Sequence, residues 1–395
     1  MNLKKISSLL HLWLGLATGL VVISSFLPAA LFVWERELTD LYYHDYIFVE
    51  PQGQPQSLTS LLKTAQKSLP ENEKLHEVEI SHEPDRAYAF SGSEEAEKEG
   101  WTAFSELEYS KTVYVNPYNG KVTGIVDQQR NWIWLLRVMH QQLLLQYDIG
   151  HLMVGIATLM MFVVVITGLI LWWPRNKGAL KQRFKIKFNA KWRRVNYDIH
   201  NVGGFYTQIF ILFFAATGLV WTFDWWTDGI YRLLGEDPDK VFTEVPAIPA
   251  SIQTTNNPLD IAFYDLALKK KNWKKVSFFM NDAKYLGVVR YDGNSGWDTW
   301  DIHHYNAKTG ALYFSVPHEK KSLGAKWRNS NYAIHVGSIY GIVTKLIASF
   351  IALFCSALPV TGFYIWWGRR KKDKKIPVGK MNSKRMKPLM RQNNQ

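Results

Sequence analysis

The sequence predicts an integral membrane protein: an all-α four-helix bundle of two parallel helix–outer domain–helix repeats, carrying two small α+β domains outside the bilayer. Three observations predict it. Four long stretches are apolar and free of Asp, Glu, Lys and Arg. The basic residues gather in three blocks beside those stretches. The two halves of the chain repeat one another.

A bilayer core takes about 20 apolar residues of helix. Residues 6–34, 152–173, 202–223 and 346–367 each satisfy that length. Lys4 and Lys5 before the first stretch make a signal peptide its rival reading. The apolar run is too long for a signal core and no A-x-A site follows, so a retained anchor is expected.

Orientation follows from the basic residues. Residues 174–195 carry nine Lys/Arg and no acid, and residues 368–395 carry eleven with one acid, Asp373. With Lys4 and Lys5, these blocks predict that both termini and the middle loop are cytoplasmic, in a bacterial inner membrane. They read as contacts to anionic membrane lipid, with no nucleic-acid partner. The expected order is span 1 (1–35), outer domain (36–131), span 2 with an outer extension (132–173), basic loop (174–196), span 3 (197–226), second outer domain (227–330), span 4 (331–367) and basic tail (368–395). One cysteine, Cys355, excludes an intramolecular disulfide framework, a cysteine zinc site, a cysteine-ligated iron–sulfur cluster and a covalent C-x-x-C-H haem.

The repeat is read from offsets. Leu171-Trp172-Trp173-Pro174-Arg175 matches Ile365-Trp366-Trp367-Gly368-Arg369, and Thr167-Gly168 matches Thr361-Gly362. Asn116-Pro117-Tyr118-Asn119-Gly120 matches Asn306-Ala307-Lys308-Thr309-Gly310. His11 matches His200, and His140 matches His335. Both halves begin and end inside, so parallel repeats around an axis along the membrane normal are expected, with equivalent residues at equal depth. Each outer segment reads as one helix (58–68 and 259–268) followed by strands. These are 77–81, 86–90 and 112–116 in the first and 275–279, 285–291 and 299–305 in the second.

Ionisable groups in or bordering a span are costly and point to function. Two facing imidazoles without cysteine or a carboxylate cluster suit bis-histidine haem b, and two such pairs suit two haems. His11 with His200 forms one expected pair and His140 with His335 the other. Gly15 and Gly204, each four residues beyond its histidine, leave room for a flat macrocycle. A straight helix from His140 to Trp173 would span about 50 Å, so it must tilt, break or project, and Gly150 is the candidate break. His151, eleven residues after His140, is an alternative ligand or a propionate contact, although its counterpart is Lys345. His303-His304 with Asp301 lies on a strand, where neighbours face opposite ways and do not easily share one ion. His44, His76, His82 and His318 form no pattern. The Trp pairs 172/173, 225/226 and 366/367 read as interfacial belts.

The whole pattern resembles the PepSY-associated transmembrane family of bacterial iron-regulated membrane proteins. The resemblance rests on His11-Leu-Trp-Leu-Gly15, on His140 ahead of Thr167-Gly-Leu-Ile-Leu-Trp-Trp-Pro174, and on Trp192-Arg-Arg-Val-Asn-Tyr-Asp-Ile-His200. It rests also on Ile334-His335-Val-Gly-Ser-Ile-Tyr-Gly341 ahead of Pro359-Val-Thr-Gly-Phe-Tyr-Ile-Trp-Trp367. One departure stands in span 1, where Ser24-Ser25-Phe26-Leu27-Pro28 replaces the family's Thr-Gly. The resemblance implies PepSY-like outer domains. Some members are di-haem reductases of ferric siderophores, which implies His11 and His200 as ligands of an inner haem and His140 and His335 of an outer one.

The expected function is a transmembrane electron carrier of the ferric-chelate reductase type, reducing a ferric siderophore or another periplasmic acceptor. With the inside negative, outward electron flow is favoured by about 2.3 kcal/mol per 100 mV. No dinucleotide-binding G-x-G-x-x-G unit is present. Quinol or a cytoplasmic flavin reductase is therefore the implied donor. The alternative is a haem-free membrane protein whose outer domains bind or regulate a peptide or peptidase.

Overall fold

The computed structural model describes residues 2–98, 100–174, 176, 180, 182–249, 255–268, 272–291 and 297–373. Arg175, Lys177, Lys181 and the tail from residue 374 onward, all parts of the predicted basic blocks, lie outside the described residues. Four described helical spans are long and apolar enough to cross a membrane: Leu3–Phe32, Tyr147–Trp172, Trp192–Trp221 and Ile342–Arg370. Their outward residues are themselves apolar, such as Trp13, Leu20, Ile209 and Phe350, all exposed. Such a surface suits lipid rather than water.

The chain divides into two compact units. The first comprises Met1–Ile23, Met160–Ile209 and Phe354–Gln395, and the second Ser24–Leu159 and Phe210–Leu353.

The first unit is helical. The third span is irregular: Trp192–Asp198 is α-helix, Ile199–Gly203 is a π-turn, and Gly204–Gly218 resumes the α-helix. A Cβ at Gly203 would meet the Phe354 ring at 2.1 Å, so only glycine allows that approach. Single π-turns inside helices are frequent at functional sites.

The second unit carries one eight-stranded antiparallel sheet in the order β4-β3-β2-β1-β5-β6-β7-β8. The strands are β1 Glu77–Ser81, β2 Tyr88–Glu95, β3 Leu107–Val115, β4 Val122–Asp127, β5 Trp273–Met280, β6 Lys284–Tyr291, β7 Trp300–Asn306 and β8 Leu312–Val316. This corrects the expectation of an all-α four-helix bundle with two separate α+β domains. Each half supplies four strands, and β1 pairs with β5 through Val78↔Phe278, Glu79↔Ser277 and Ile80↔Val276. The physical reason is the edge. Alone, each four-stranded sheet would expose the N–H and C=O groups of β1 or β5. Joined, the two edges satisfy one another and the halves share one core. Val78, Ile80, Phe90 and Val113 from the first half and Val276, Phe278, Val289 and Tyr305 from the second pack in a single cluster. Leu58, Leu61 and Ala65 of helix Leu58–Lys67 and Leu259 and Ala262 of helix Pro258–Phe263 complete that cluster.

The repeated turns have the same construction. Asn116 Oδ1 accepts from the Tyr118 N–H at 2.9 Å, and Asn306 Oδ1 from the Lys308 N–H at 2.8 Å. Gly120 and Gly310 follow at φ 72° and 71°, a region that favours glycine. The strands after these turns, β4 and β8, were not anticipated from the sequence.

The break after His140 is not at Gly150. Helix Trp132–Gln142 ends at Leu143 and Leu144, with φ 57° and 63°, and the next helix starts at Tyr147. Gly150 lies inside that next helix. A Cβ there would sit 2.0 Å from the Gln142 carbonyl oxygen, so the glycine permits the two helices to meet at the corner.

Candidate functional site: two histidine pairs

In the first unit, His11 on helix Leu3–Phe32 meets His200 of the π-turn, with ring centres 6.2 Å apart and planes at 83°. In the second unit, His140 meets His335, the last residue of helix Leu323–His335, with ring centres 6.1 Å apart and planes at 34°.

Carbonyl partners fix the tautomer of His11 and His140, and threonine hydroxyls orient His200 and His335. His11 Nδ1 lies 2.9 Å from the Val164 carbonyl oxygen, and His140 Nδ1 lies 3.0 Å from the Ser25 carbonyl oxygen. A carbonyl only accepts, so both Nδ1 atoms carry the proton. His200 Nδ1 lies 2.9 Å from Thr361 Oγ1, and that hydroxyl gives its own proton to the Leu358 carbonyl at 2.9 Å. His335 Nδ1 lies 2.8 Å from Thr217 Oγ1, which donates to the Phe213 carbonyl at 2.9 Å. With each hydroxyl proton on its helix carbonyl, Nδ1–H is the donor at these two contacts. Each Nε2 therefore holds a lone pair. Metal-binding histidines are commonly prepared this way, with the second nitrogen tied to the protein.

Glycines clear the opposite edge. A Cβ at Gly168 would lie 3.0 Å from His11 Cε1, at Gly362 3.2 Å from His200 Cε1, and at Gly218 3.4 Å from His335 Cε1. Three Thr-Gly pairs thus serve three histidines. Thr167 Oγ1 is 3.4 Å from His11 Nδ1, the loosest of these contacts. At the fourth place Ser25 takes the threonine's role: it accepts from His140 Nδ1 at 3.0 Å and donates to the His140 carbonyl at 2.8 Å.

Sequence reasoning missed two further residues. Asn196 Nδ2 donates to the Thr361 carbonyl at 3.1 Å, and Asn331 Nδ2 donates to the Thr217 carbonyl at 3.0 Å. Each asparagine stands four residues before its histidine, and each tethers the threonine that holds that histidine. The signal was available: Asn196-Tyr197-Asp198-Ile199-His200 and Asn331-Tyr332-Ala333-Ile334-His335 differ at one position.

Among the described residues no three His, Cys, Asp or Glu side chains gather to hold a metal ion. A metal at either pair would draw two protein ligands and need the rest from elsewhere. A metal–imidazole bond is about 2.0 Å and the ring nitrogen lies about 1.2 Å from the ring centre, so two imidazoles on opposite sides of one ion stand about 6.4 Å apart. The observed spacings match. Space for a flat ring is present at Gly15, where a Cβ would meet nothing within 4 Å, and at Gly204, where it would meet only Leu358 at 3.9 Å. The ring spacing at both pairs, with the open space at Gly15 and Gly204 beside the first, suits a bis-histidine haem.

Burial pushes His140 and His335 below the ordinary imidazole range, and His140 pushes His335 down further.

The other candidates fall elsewhere. His151 stacks on Tyr147 at 4.6 Å, and its Nε2 is 3.0 Å from Thr222 Oγ1. Its counterpart Lys345 bonds both oxygens of Glu37 at 2.7 and 2.6 Å and lies 4.8 Å from the Trp34 ring centre. On β7, Asp301 accepts from the Tyr291 hydroxyl at 2.9 Å and the His318 N–H at 2.8 Å, with His303 Nε2 at 3.9 Å. That carboxylate fastens the segment after β8 to the sheet.

The fold and the paired histidines thus define a four-span membrane protein with a sheet-bearing unit. The family of the PepSY-associated TM region matches residues 8–369, and the chain belongs to that family. A comparison with curated proteins gave no match.

Proposed function

We propose that this chain is a di-haem transmembrane electron-transfer protein of the bacterial inner membrane, with both termini cytoplasmic. Electrons from quinol or a cytoplasmic flavin reductase would reach a ferric siderophore on the periplasmic side. The observation that carries the proposal is the shared state of the four histidines: Nδ1–H is donated to the protein at each, and Nε2 is bare. When bound, the haems would supply one-electron carriage.

The chain's own residues supply the rest. His11 and His200 would hold one haem, and His140 and His335 the other. Val164, Ser25, Thr361 and Thr217 fix each imidazole's proton on Nδ1 and so its orientation. Asn196 and Asn331 hold two of those threonines in place. Gly168, Gly362 and Gly218 keep the ring edges unobstructed, and Gly15 and Gly204 leave flat space beside the first pair. The apolar spans exclude water from the route.

The test is the purified protein in detergent. Oxidised and dithionite-reduced absorption spectra, with a haem assay, should give two haem b per chain and a sharp reduced α-band. Protein purified from haem-replete cells without haem would overturn the proposal.

A further inference from the structure

The second unit has an open cleft of about 1650 Å³ on the face of the sheet opposite the apolar core. Small-molecule sites usually occupy about 300–1,000 Å³, so this space takes a large ligand. Eight Lys/Arg and six Asp/Glu line it. Six of these fourteen charges pair with one another. Arg86 bonds both oxygens of Asp40 at 2.8 and 2.7 Å, Lys345 pairs with Glu37, and Lys275 with Glu79.

Arg137 and Arg290 differ. Neither has an ion-pair partner among the described residues. Arg137 is exposed into the cavity, and Arg290 lies with its guanidinium carbon 5.5 Å from the Trp300 ring centre. Both act electrostatically on Tyr332, whose hydroxyl donates to Glu35 Oε2 at 3.1 Å. Burial raises the Glu35 carboxyl above its usual range, against the attraction of Arg137 and Lys275.

The position ties the cavity to the histidine pair of the same unit. Arg137 stands three residues before His140 on one helix, and Tyr332 three residues before His335 on another. Residues three apart share a helix face. The same spacing on both partners places the arginine and the tyrosine one turn from the two imidazoles.

We infer that this cavity is the acceptor site, and that it takes a polyanionic, oxygen-rich chelate whose carboxylates pair with Arg137 and Arg290. Planar guanidinium forks match carboxylates bidentately, which gives the site a preference for anionic over neutral or cationic chelates. The acceptor role rests on the proposed electron-transfer function; the binding does not.

The experiment therefore reads binding. Gallium(III) citrate, which is not reduced, is titrated into the full-length protein while tryptophan fluorescence is followed; Trp34, Trp134 and Trp297 line the cavity. Saturable quenching is expected. Arg137→Gln and Arg290→Gln should each weaken it about tenfold or more, with haem content and thermal midpoint unchanged. A cationic gallium trihydroxamate should not compete. Unchanged affinity in both variants, or equal affinity for the trihydroxamate, would overturn the inference. Retained citrate binding in protein that carries no haem would leave the anion site standing and remove the electron-transfer function.

Discussion

His335 Nδ1 lies 2.8 Å from Thr217 Oγ1, and the threonine's own proton is committed to the Phe213 carbonyl. The contact ties the imidazole's Nδ1 to the protein and leaves Nε2 for a ligand. Thr217→Val removes the acceptor while keeping the shape. Loss of such a supporting hydrogen bond typically costs 10- to 100-fold in metal affinity, roughly. One haem should become substoichiometric, and Thr217→Ser should restore it. The readout is haem per chain with the reduced spectrum. Full occupancy in the valine variant would show that the hydrogen bond is dispensable.

The glycines give a second test, with two substitutions that separate causes. Gly168→Ala places a methyl 3.0 Å from His11 Cε1 and must displace that ring. Gly15→Leu points into space where the chain offers no neighbour within 4 Å. The protein should fold normally, yet the haem beside Gly15 should be lost. A fall from two haems to one with an unchanged thermal midpoint is the expected result for Gly15→Leu.

Phe278 is fully buried in the core that both halves share. Phe278→Ala should destabilise the sheet-bearing unit by about 3–5 kcal/mol. Because β1 and β5 are one seam, the loss should extend to strands of the first half. Hydrogen exchange in β2 and β3 should rise together with that in β6. Exchange confined to the second half would contradict a single cooperative sheet.

Lys321 supplies a pH dependence outside the spans. Burial pushes its ammonium down to about 8, against the attraction of Asp301 and Asp298. It donates to the Trp300 carbonyl at 2.7 Å and lies 4.5 Å from that ring's centre. Between that value and the ordinary lysine range the unfolded chain binds more protons, so stability rises with pH there. The penalty for burying the charge is full below pH 8. The thermal midpoint in detergent should climb from pH 8 to 10, and Lys321→Met should flatten the climb. A midpoint falling equally in both proteins would refute the assignment.

Much of this arrangement is legible in one dimension. Hydropathy alone locates the four spans, because a bilayer imposes a length and a polarity on any helix that crosses it. The duplication couples His11 to His200 and His140 to His335, since equivalent residues of parallel repeats stand at equal depth. The Asn-Pro-Tyr-Asn-Gly turn and its copy also read directly, because a turn is built from neighbours in sequence. Asn196 and Asn331 were equally readable, had the two Asn-Tyr-x-Ile-His segments been compared with one another.

The rest depended on segments far apart in the chain. Nothing in residues 77–81 or 273–280 says that their free edges meet; two edge strands pair when their unsatisfied N–H and C=O groups come within hydrogen-bonding distance. Ser25 in place of the family's threonine reads as a departure in the sequence. The fold shows it holding His140 across 115 positions. The sequence by itself determined which helices suit a membrane and which histidines form equivalent pairs, because hydropathy and repetition are properties of order along the chain. Only the tertiary structure decided that the sheet is one, which nitrogen of each imidazole is tied to the protein, and which charges of the cleft pair among the described residues. Those are questions of distance between atoms, and distance is set by packing.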